Sequence, residues 1–214
     1  MTSDPHRNLP LFRLGAPLNE ANTVMVLLHG RGGSPEDMFS LGEALGGPGF
    51  AYLAPKAANN TWYPQSFLAS LQQNEPYLSS ALGKVESIVE LAIAAGISAN
   101  RVVVTGFSQG ACLATEFVAR HPRKYAGLIA FTGGLIGPPG SDLSHQGDLA
   151  GTPAFFGSGD PDPHVPWERV QESAEVFRQM GADVALHRYR GMSHSVSPDE
   201  IESAREHVRR LSLQ

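Results

Sequence analysis

Val102-Val103-Val104-Thr105-Gly106-Phe107-Ser108-Gln109-Gly110-Ala111-Cys112-Leu113-Ala114 is the stretch whose reading decides the fold. A β-branched run stops at a glycine, and a run of helix formers starts three residues later. Gly106 to Gly110 spells G-x-S-x-G, with Ser108 at the corner. In a strand–turn–helix context this pentapeptide makes an elbow. The serine takes a strained conformation that lifts its hydroxyl above the sheet, and the glycines let neighbouring backbone pass close. The helix then begins beneath the serine, so its free N–H groups and dipole face any developing negative charge. The pentapeptide alone is weak in a chain with 23 glycines. The strand before it and the helix after it carry the reading. The competing reading is a serine that only caps a helix.

Working outward, other apolar β-rich runs alternate with helical patterns. Strands are expected at 23–29, 50–54, 101–105, 127–132, 153–157 and 184–189, with an edge strand at 11–14. The inner runs are continuously apolar, as in a parallel sheet buried on both faces. Ser34-Pro35-Glu36-Asp37 offers an N-cap, a first-turn proline and first-turn acids. The run 76–95 sets Leu78, Leu82, Val85, Val89 and Ala92 at helical spacing before Gly96. Helices also fit 108–121 and 166–180. Ser197-Pro198-Asp199-Glu200 is a capping box opening a last helix that aligns Ile201, Ala204, Val208 and Leu211 and ends in Arg209 and Arg210. Strand alternating with helix implies one α/β domain over 1–214, with a mostly parallel central sheet, helices on both faces and no cap domain. Residues 1–10 read as a flexible polar tail. Two long connections, 56–75 and 133–152, are of the length that usually carries function.

Composition narrows the function. The 214-residue chain has net charge −5 and no dense Lys/Arg run, which argues against nucleic acid. A single cysteine forbids an internal disulfide and suits a reducing compartment. No apolar run approaches the ~18 residues of a membrane span, and the first ten residues lack a signal-peptide core. The expectation is a cytoplasmic protein without an integral membrane segment; a homodimer is left open.

A serine hydroxyl needs a base, and the base needs a carboxylate. On this kind of sheet they follow in the order Ser, Asp/Glu, His. Downstream, Gly159-Asp160-Pro161-Asp162-Pro163-His164-Val165-Pro166 follows a strand, where sites of open α/β sheets collect. Both aspartates remain candidates at this point. Gly191-Met192-Ser193-His194 follows the last strand. The other histidines compete poorly. His6 is in the tail, His121 ends a helix, His187 is within a strand, His207 is on the last helix, His145 is in a long loop, and His164 is too near the acid's own turn. Upstream, an apolar strand feeds His29-Gly30-Arg31-Gly32-Gly33-Ser34. A glycine-rich loop in that place can turn backbone N–H groups toward one spot. A phosphate loop would require GK[ST], and a dinucleotide fingerprint a glycine where Pro35 stands.

The motifs L-L-H-G-R-G-G, G-F-S-Q-G-A, D-P-D-P-H-V-P and G-M-S-H, in this order, together resemble the phospholipase/carboxylesterase family of α/β hydrolases, which includes acyl-protein thioesterases. The resemblance covers about residue 24 to the C-terminus. It implies Ser108 as nucleophile, His194 as base, and Asp162, which opens D-x-x-V-P, as the acid. It implies backbone N–H groups of Arg31 and Gln109 as the oxyanion hole, with His29 shaping the loop. The family often has leucine at position 31. An arginine there could reach the pocket mouth and favour anionic substrates, or lie in solvent or pair with an acid. Trp62, Tyr63 and Phe67 in the first long connection, and Leu135 in the second, are pocket candidates; they could equally be satellite core. Cys112, one turn after Ser108, reads as a small buried hydrophobe. The expected activity is hydrolysis of carboxylic esters through an acyl-enzyme. The substrates would be short- to medium-chain esters, lysophospholipids or acyl thioesters, with no cofactor and no metal. The other class considered is a non-catalytic ligand-binding protein on the same scaffold.

Overall fold

The computed structural model describes residues 4–212. Seven strands form one sheet: β1 (Leu11–Gly15), β2 (Thr23–Leu28), β3 (Phe50–Pro55), β4 (Val102–Phe107), β5 (Gly127–Phe131), β6 (Pro153–Asp160) and β7 (Asp183–Arg190). Their order across the sheet is β1-β3-β2-β4-β5-β6-β7. Only β1 runs antiparallel to its neighbour; every other pairing is parallel.

The inner strands are buried at nearly every position because both faces are covered. The register row Val26–Val104–Leu128–Ala154 faces one core. On that face lie α2 (Tyr77–Ala94), α3 (Gln109–Arg120) and α4 (Trp167–Gln179), which contribute Leu78, Val85, Phe117, Val170 and Phe177. Residues Met25, Val103, Ile129 and Phe155 face the other core, under α1 (Phe39–Leu45) and α5 (Pro198–Ser212). Each fully buried side chain of this size stabilises the fold by about 1.5–3 kcal/mol. That burial, rather than helix propensity, holds the layers together.

Three local expectations need correction. Residues 4–10 are not a free polar tail. His6 is fully buried, its Nε2 2.9 Å from the carbonyl of Trp62 and its Nδ1 accepting the N–H of Ala58 at 3.0 Å. The N–H of His6 donates to Ser80 Oγ at 2.9 Å, so α2 also holds the segment. Met1 to Ser3, and the side chains of Arg210 and Leu211, lie outside the described residues. Before α1, Ser34 is not the side-chain cap; Asp37 Oδ2 accepts the N–H of Ser34 at 2.7 Å instead. At α5, Ser197 Oγ does accept the N–H of Glu200, at 3.2 Å. The reciprocal half is weak: the Ser197 N–H acts on the Glu200 carboxyl without reaching full hydrogen-bond geometry, and that carboxyl is fully buried.

The topology sets where a ligand can sit. From β2 the chain moves outward to β3, then crosses by α2 to β4 on the far side of β2. A crevice opens at the carboxyl ends of strands where the winding direction reverses in this way. The loops leaving β2 and β4 carry His29–Gly33 and Ser108, and those leaving β6 and β7 carry Asp162 and His194.

Candidate active site

Ser108 sits at the corner between β4 and α3 with φ 55° and ψ −118°, a conformation disfavoured for a residue with a side chain. The surroundings enforce it. The N–H of Ser108 donates to the carbonyl of Phe131 at 2.9 Å, and its own carbonyl accepts the N–H of Cys112 at 3.0 Å. The flanking glycines are sterically required: a Cβ on Gly110 would sit inside the carbonyl of Leu28, and one on Gly106 would collide with the backbone of Gly110.

His194 and Asp162 meet the serine from two other loops. Ser108 Oγ lies 2.8 Å from His194 Nε2, and His194 Nδ1 lies 2.7 Å from Asp162 Oδ2. The Asp162 side chain is fully buried and that of His194 is 20% exposed. Burial opposes the charge on Asp162. Hydrogen bonds from the His164 N–H, the His194 ring and the Val165 N–H outweigh it, and the carboxyl is held below its usual range. An ionised carboxylate can only accept, so Nδ1 carries the proton and Nε2 is left to accept from Ser108. Asp160, the other candidate acid, is engaged elsewhere, in an ion pair with Arg188 of β7.

The β2 loop meets the same point. The N–H groups of Arg31 and Gln109 have no acceptor among the described residues. His29 is buried, which lowers its pKa and favours the neutral ring. Its Nδ1 lies 2.8 Å from the Gly30 carbonyl, and its Nε2 accepts the N–H of Ala57 at 3.3 Å. The ring therefore braces the turn and points no free nitrogen at Ser108.

The Arg31 guanidinium does not reach out for an anion. It donates to the carbonyls of Tyr63, Pro64 and Gln65 at 3.0, 3.0 and 2.6 Å. Gln109 ties down the same segment, its amide accepting from the Trp62 N–H at 2.9 Å and donating to the Tyr63 carbonyl at 2.8 Å. The first long connection is thus stapled to the loops that flank Ser108.

A cavity of about 510 Å³ opens beside Ser108, walled by Tyr63, Phe67, Cys112, His164 and Val165. Of the four pocket candidates, Tyr63 and Phe67 line it. Trp62 does not: it is fully buried, donates Nε1–H to the His29 carbonyl at 2.8 Å and packs against the rings of His29 and His6. Leu135 does not either, being fully buried with its N–H on Ser173 Oγ. Several lining residues escape a reading by sequence, His164 and Phe107 among them. The ring of His164 meets that of His194 edge-on at 4.9 Å, and the ring of Phe107 lies 5.1 Å from it on another side. Both stand inside quoted motifs, at positions with no chemical role to mark them. Cys112 is buried and its thiol is pushed up to about 12 by that burial, so no reactive thiolate forms. No cluster of metal-ligating side chains occurs among the described residues.

The chain is similar to known proteins over most of its length. A phospholipase/carboxylesterase of Dyadobacter fermentans superposes with a TM-score of 0.91 at 44% identity, over 94% of this chain and 97% of that one. Acyl-protein thioesterase 1 of Kluyveromyces lactis is 27% identical over 91% of this chain and 94% of its own length. The enzyme of the same name from Saccharomyces cerevisiae is 33% identical over 61% of this chain, a match that spans 59% of that protein. The profile of the phospholipase/carboxylesterase family matches residues 11–212. The chain therefore belongs to the phospholipase/carboxylesterase family of α/β hydrolases, enzymes that cleave carboxylic esters.

Proposed function

We propose that the protein is a serine hydrolase that cleaves small carboxylic esters through an acyl-enzyme formed on Ser108. The observation that carries this reading is the unbroken chain of short contacts Ser108 Oγ–His194 Nε2 and His194 Nδ1–Asp162 Oδ2. Nε2 takes the hydroxyl proton as Oγ attacks the carbonyl carbon. Asp162 holds the tautomer and balances the imidazolium that forms. The N–H groups of Arg31 and Gln109 receive the carbonyl oxygen as it gains charge, where removing one donor typically costs ~10²–10³-fold. The protonated Nε2 then delivers its proton to the departing alkoxide, and water admitted by the same base frees the acid. The substrates are short- to medium-chain acyl esters, with the acyl chain in the cavity lined by Tyr63 and Phe67. Acyl thioesters, which the names of the yeast relatives specify for those proteins, use the same apparatus.

A fluorophosphonate probe tests the reading. Stoichiometric labelling of wild type and none of Ser108→Ala is expected, with ester turnover in the variant down by ~10⁴-fold or more. Retention of a tenth of wild-type turnover by the purified variant would sink the mechanism.

A further inference from the structure

A second cavity, of about 560 Å³, lies directly beside the first. The two share Gly30, Arg31 and Phe107, so they meet along the β2 loop and the Phe107 ring. Its floor is carbon: Met38, Leu41, Phe107, Val196 and Ile201. Met38 is buried in the core under α1 and α5, and the other four pack half-buried against that core, leaving their outer faces to the cavity. Nothing among the described residues covers this floor, and it adjoins the point where a substrate carbonyl must sit.

An ester has two arms, and its carbonyl oxygen, between the N–H groups of Arg31 and Gln109, would lie at the junction of the two cavities. We propose that the second cavity is the alcohol subsite and that it takes a neutral alkyl or aryl alkoxy group, with the acyl chain in the first cavity. This rests on the ester-hydrolase reading above.

The order of bond changes assigns the arms. The Ser108 Oγ–carbon bond forms and the carbon–alkoxy bond breaks. The proton that left Oγ for Nε2 passes to the alkoxide, which departs as alcohol. The alkoxy oxygen must therefore lie against the His194 edge of the site. Ser108 and His194 themselves line the first cavity, and the second reaches the far side of that edge through the neighbours of His194. Phe107 packs on the His194 ring at 5.1 Å, Val196 is two residues beyond it, and Ile201 belongs to the helix its loop leads into. The first cavity instead deepens along the α3 side of the serine, through Cys112, Tyr63 and Phe67.

The polar rim selects against negative charge. Asp37 lines the cavity, with Glu36 beside it in sequence. Arg31, the cation of the cavity lining, has its guanidinium committed to three carbonyls, and Lys56, which acts on His29, does not itself line the cavity. An alcohol bearing a carboxylate or phosphate would meet the carboxylate of Asp37 with no uncommitted cation in the cavity lining to answer it.

The test is a series of butyrate esters from methyl to octyl, followed by titrating the butyric acid released. The parameter kcat/KM covers steps up to alcohol release and excludes the deacylation common to every member. Wild type should gain ~2–4-fold per methylene over the first several carbons, the value expected when a CH₂ leaves water. Ser40 is an exposed residue of the cavity wall, so Ser40→Trp fills the space without disturbing the core. It should flatten the octyl-to-methyl ratio at least 10-fold while keeping the wild-type slope across methyl esters of graded acyl chain. Hexyl butyrate should be preferred several-fold over the same ester ending in a carboxylate. A flat alcohol series in wild type that still turns over esters and labels with fluorophosphonate would overturn the subsite and leave the hydrolase reading intact. So would a Ser40→Trp variant whose acyl-chain slope changes instead. Absence of both labelling and turnover would overturn the hydrolase reading and the subsite with it.

Discussion

At the scale of single residues, the two aspartates of the β6 loop make the sharpest contrast. Asp162 is buried, accepts two backbone N–H groups and faces His194; Asp160 is spent on Arg188. Asp162→Asn should therefore cut kcat by ~10³–10⁴-fold, because an amide can impose the wrong imidazole tautomer. Asp160→Asn should stay within a few-fold of wild type. Steady-state kinetics on both variants checks this, and a crippled Asp160→Asn with an active Asp162→Asn would reverse the assignment. Arg31 offers a second test. Its guanidinium clamps carbonyls of the Tyr63–Gln65 segment, so Arg31→Leu should lower kcat/KM several-fold for neutral and anionic esters alike, by loosening the wall of the cavity beside Ser108. A loss confined to anionic esters would restore a direct contact with substrate. Ser108, His194 and the β2 loop were legible in the sequence because each stands at a strand end with its own chemical signature. The roles of Trp62 and Arg31 were not. An indole in a loop serves core or cavity equally well until its N–H finds a carbonyl, here that of His29, 33 residues away. An arginine's partners, likewise, come from a different loop.

At the scale of elements, the elbow depends on close backbone approach between β2, β4 and α3. Gly110→Ala would push a methyl group into the Leu28 carbonyl, a backbone atom that cannot swing aside. We expect it to lower the free energy of unfolding by about 1–3 kcal/mol, as overpacking does, and to displace Ser108 enough to abolish fluorophosphonate labelling. Urea denaturation and labelling on the same sample would show it; unchanged stability and full labelling would contradict the elbow geometry. Strand positions were readable from the sequence because continuous apolar runs with flanking turns have few alternatives. The segment 4–10 was not. Its composition is polar, and the burial of His6 arises from partners on α2 and in the 56–75 connection, more than fifty residues away. Local composition carries no record of such contacts. The same holds for Glu200, which reads as half of a capping box and whose carboxyl is also buried against the core.

At the scale of the whole molecule, Glu200 links stability to pH. Burial raises its carboxyl from 4.5 to about 8. Between those values the unfolded chain releases this proton while the folded protein keeps it. Its contribution is fully present below about pH 4.5 and is lost as pH rises through about 8. Glu200→Gln removes the titration, so the difference in unfolding free energy between variant and wild type should shift in the variant's favour by up to ~1.4 kcal/mol per pH unit across that window. A difference independent of pH between 5 and 8 would show that the carboxyl titrates normally. The larger design is the reversal of winding at β2 and β4, which brings four loops from four strands to one edge and places Ser108, His194 and Asp162 within hydrogen-bonding reach. The central claim is that this convergence makes Ser108 a nucleophile that carries the acyl group. The most direct measurement is rapid acid quenching of the enzyme during turnover of a p-nitrophenyl ester, followed by intact-mass and peptide analysis. The account predicts a mass increase equal to one acyl group, confined to the peptide containing Ser108 and absent from Ser108→Ala. Steady product release with no adduct on Ser108, or an adduct on Cys112 in its place, would contradict it.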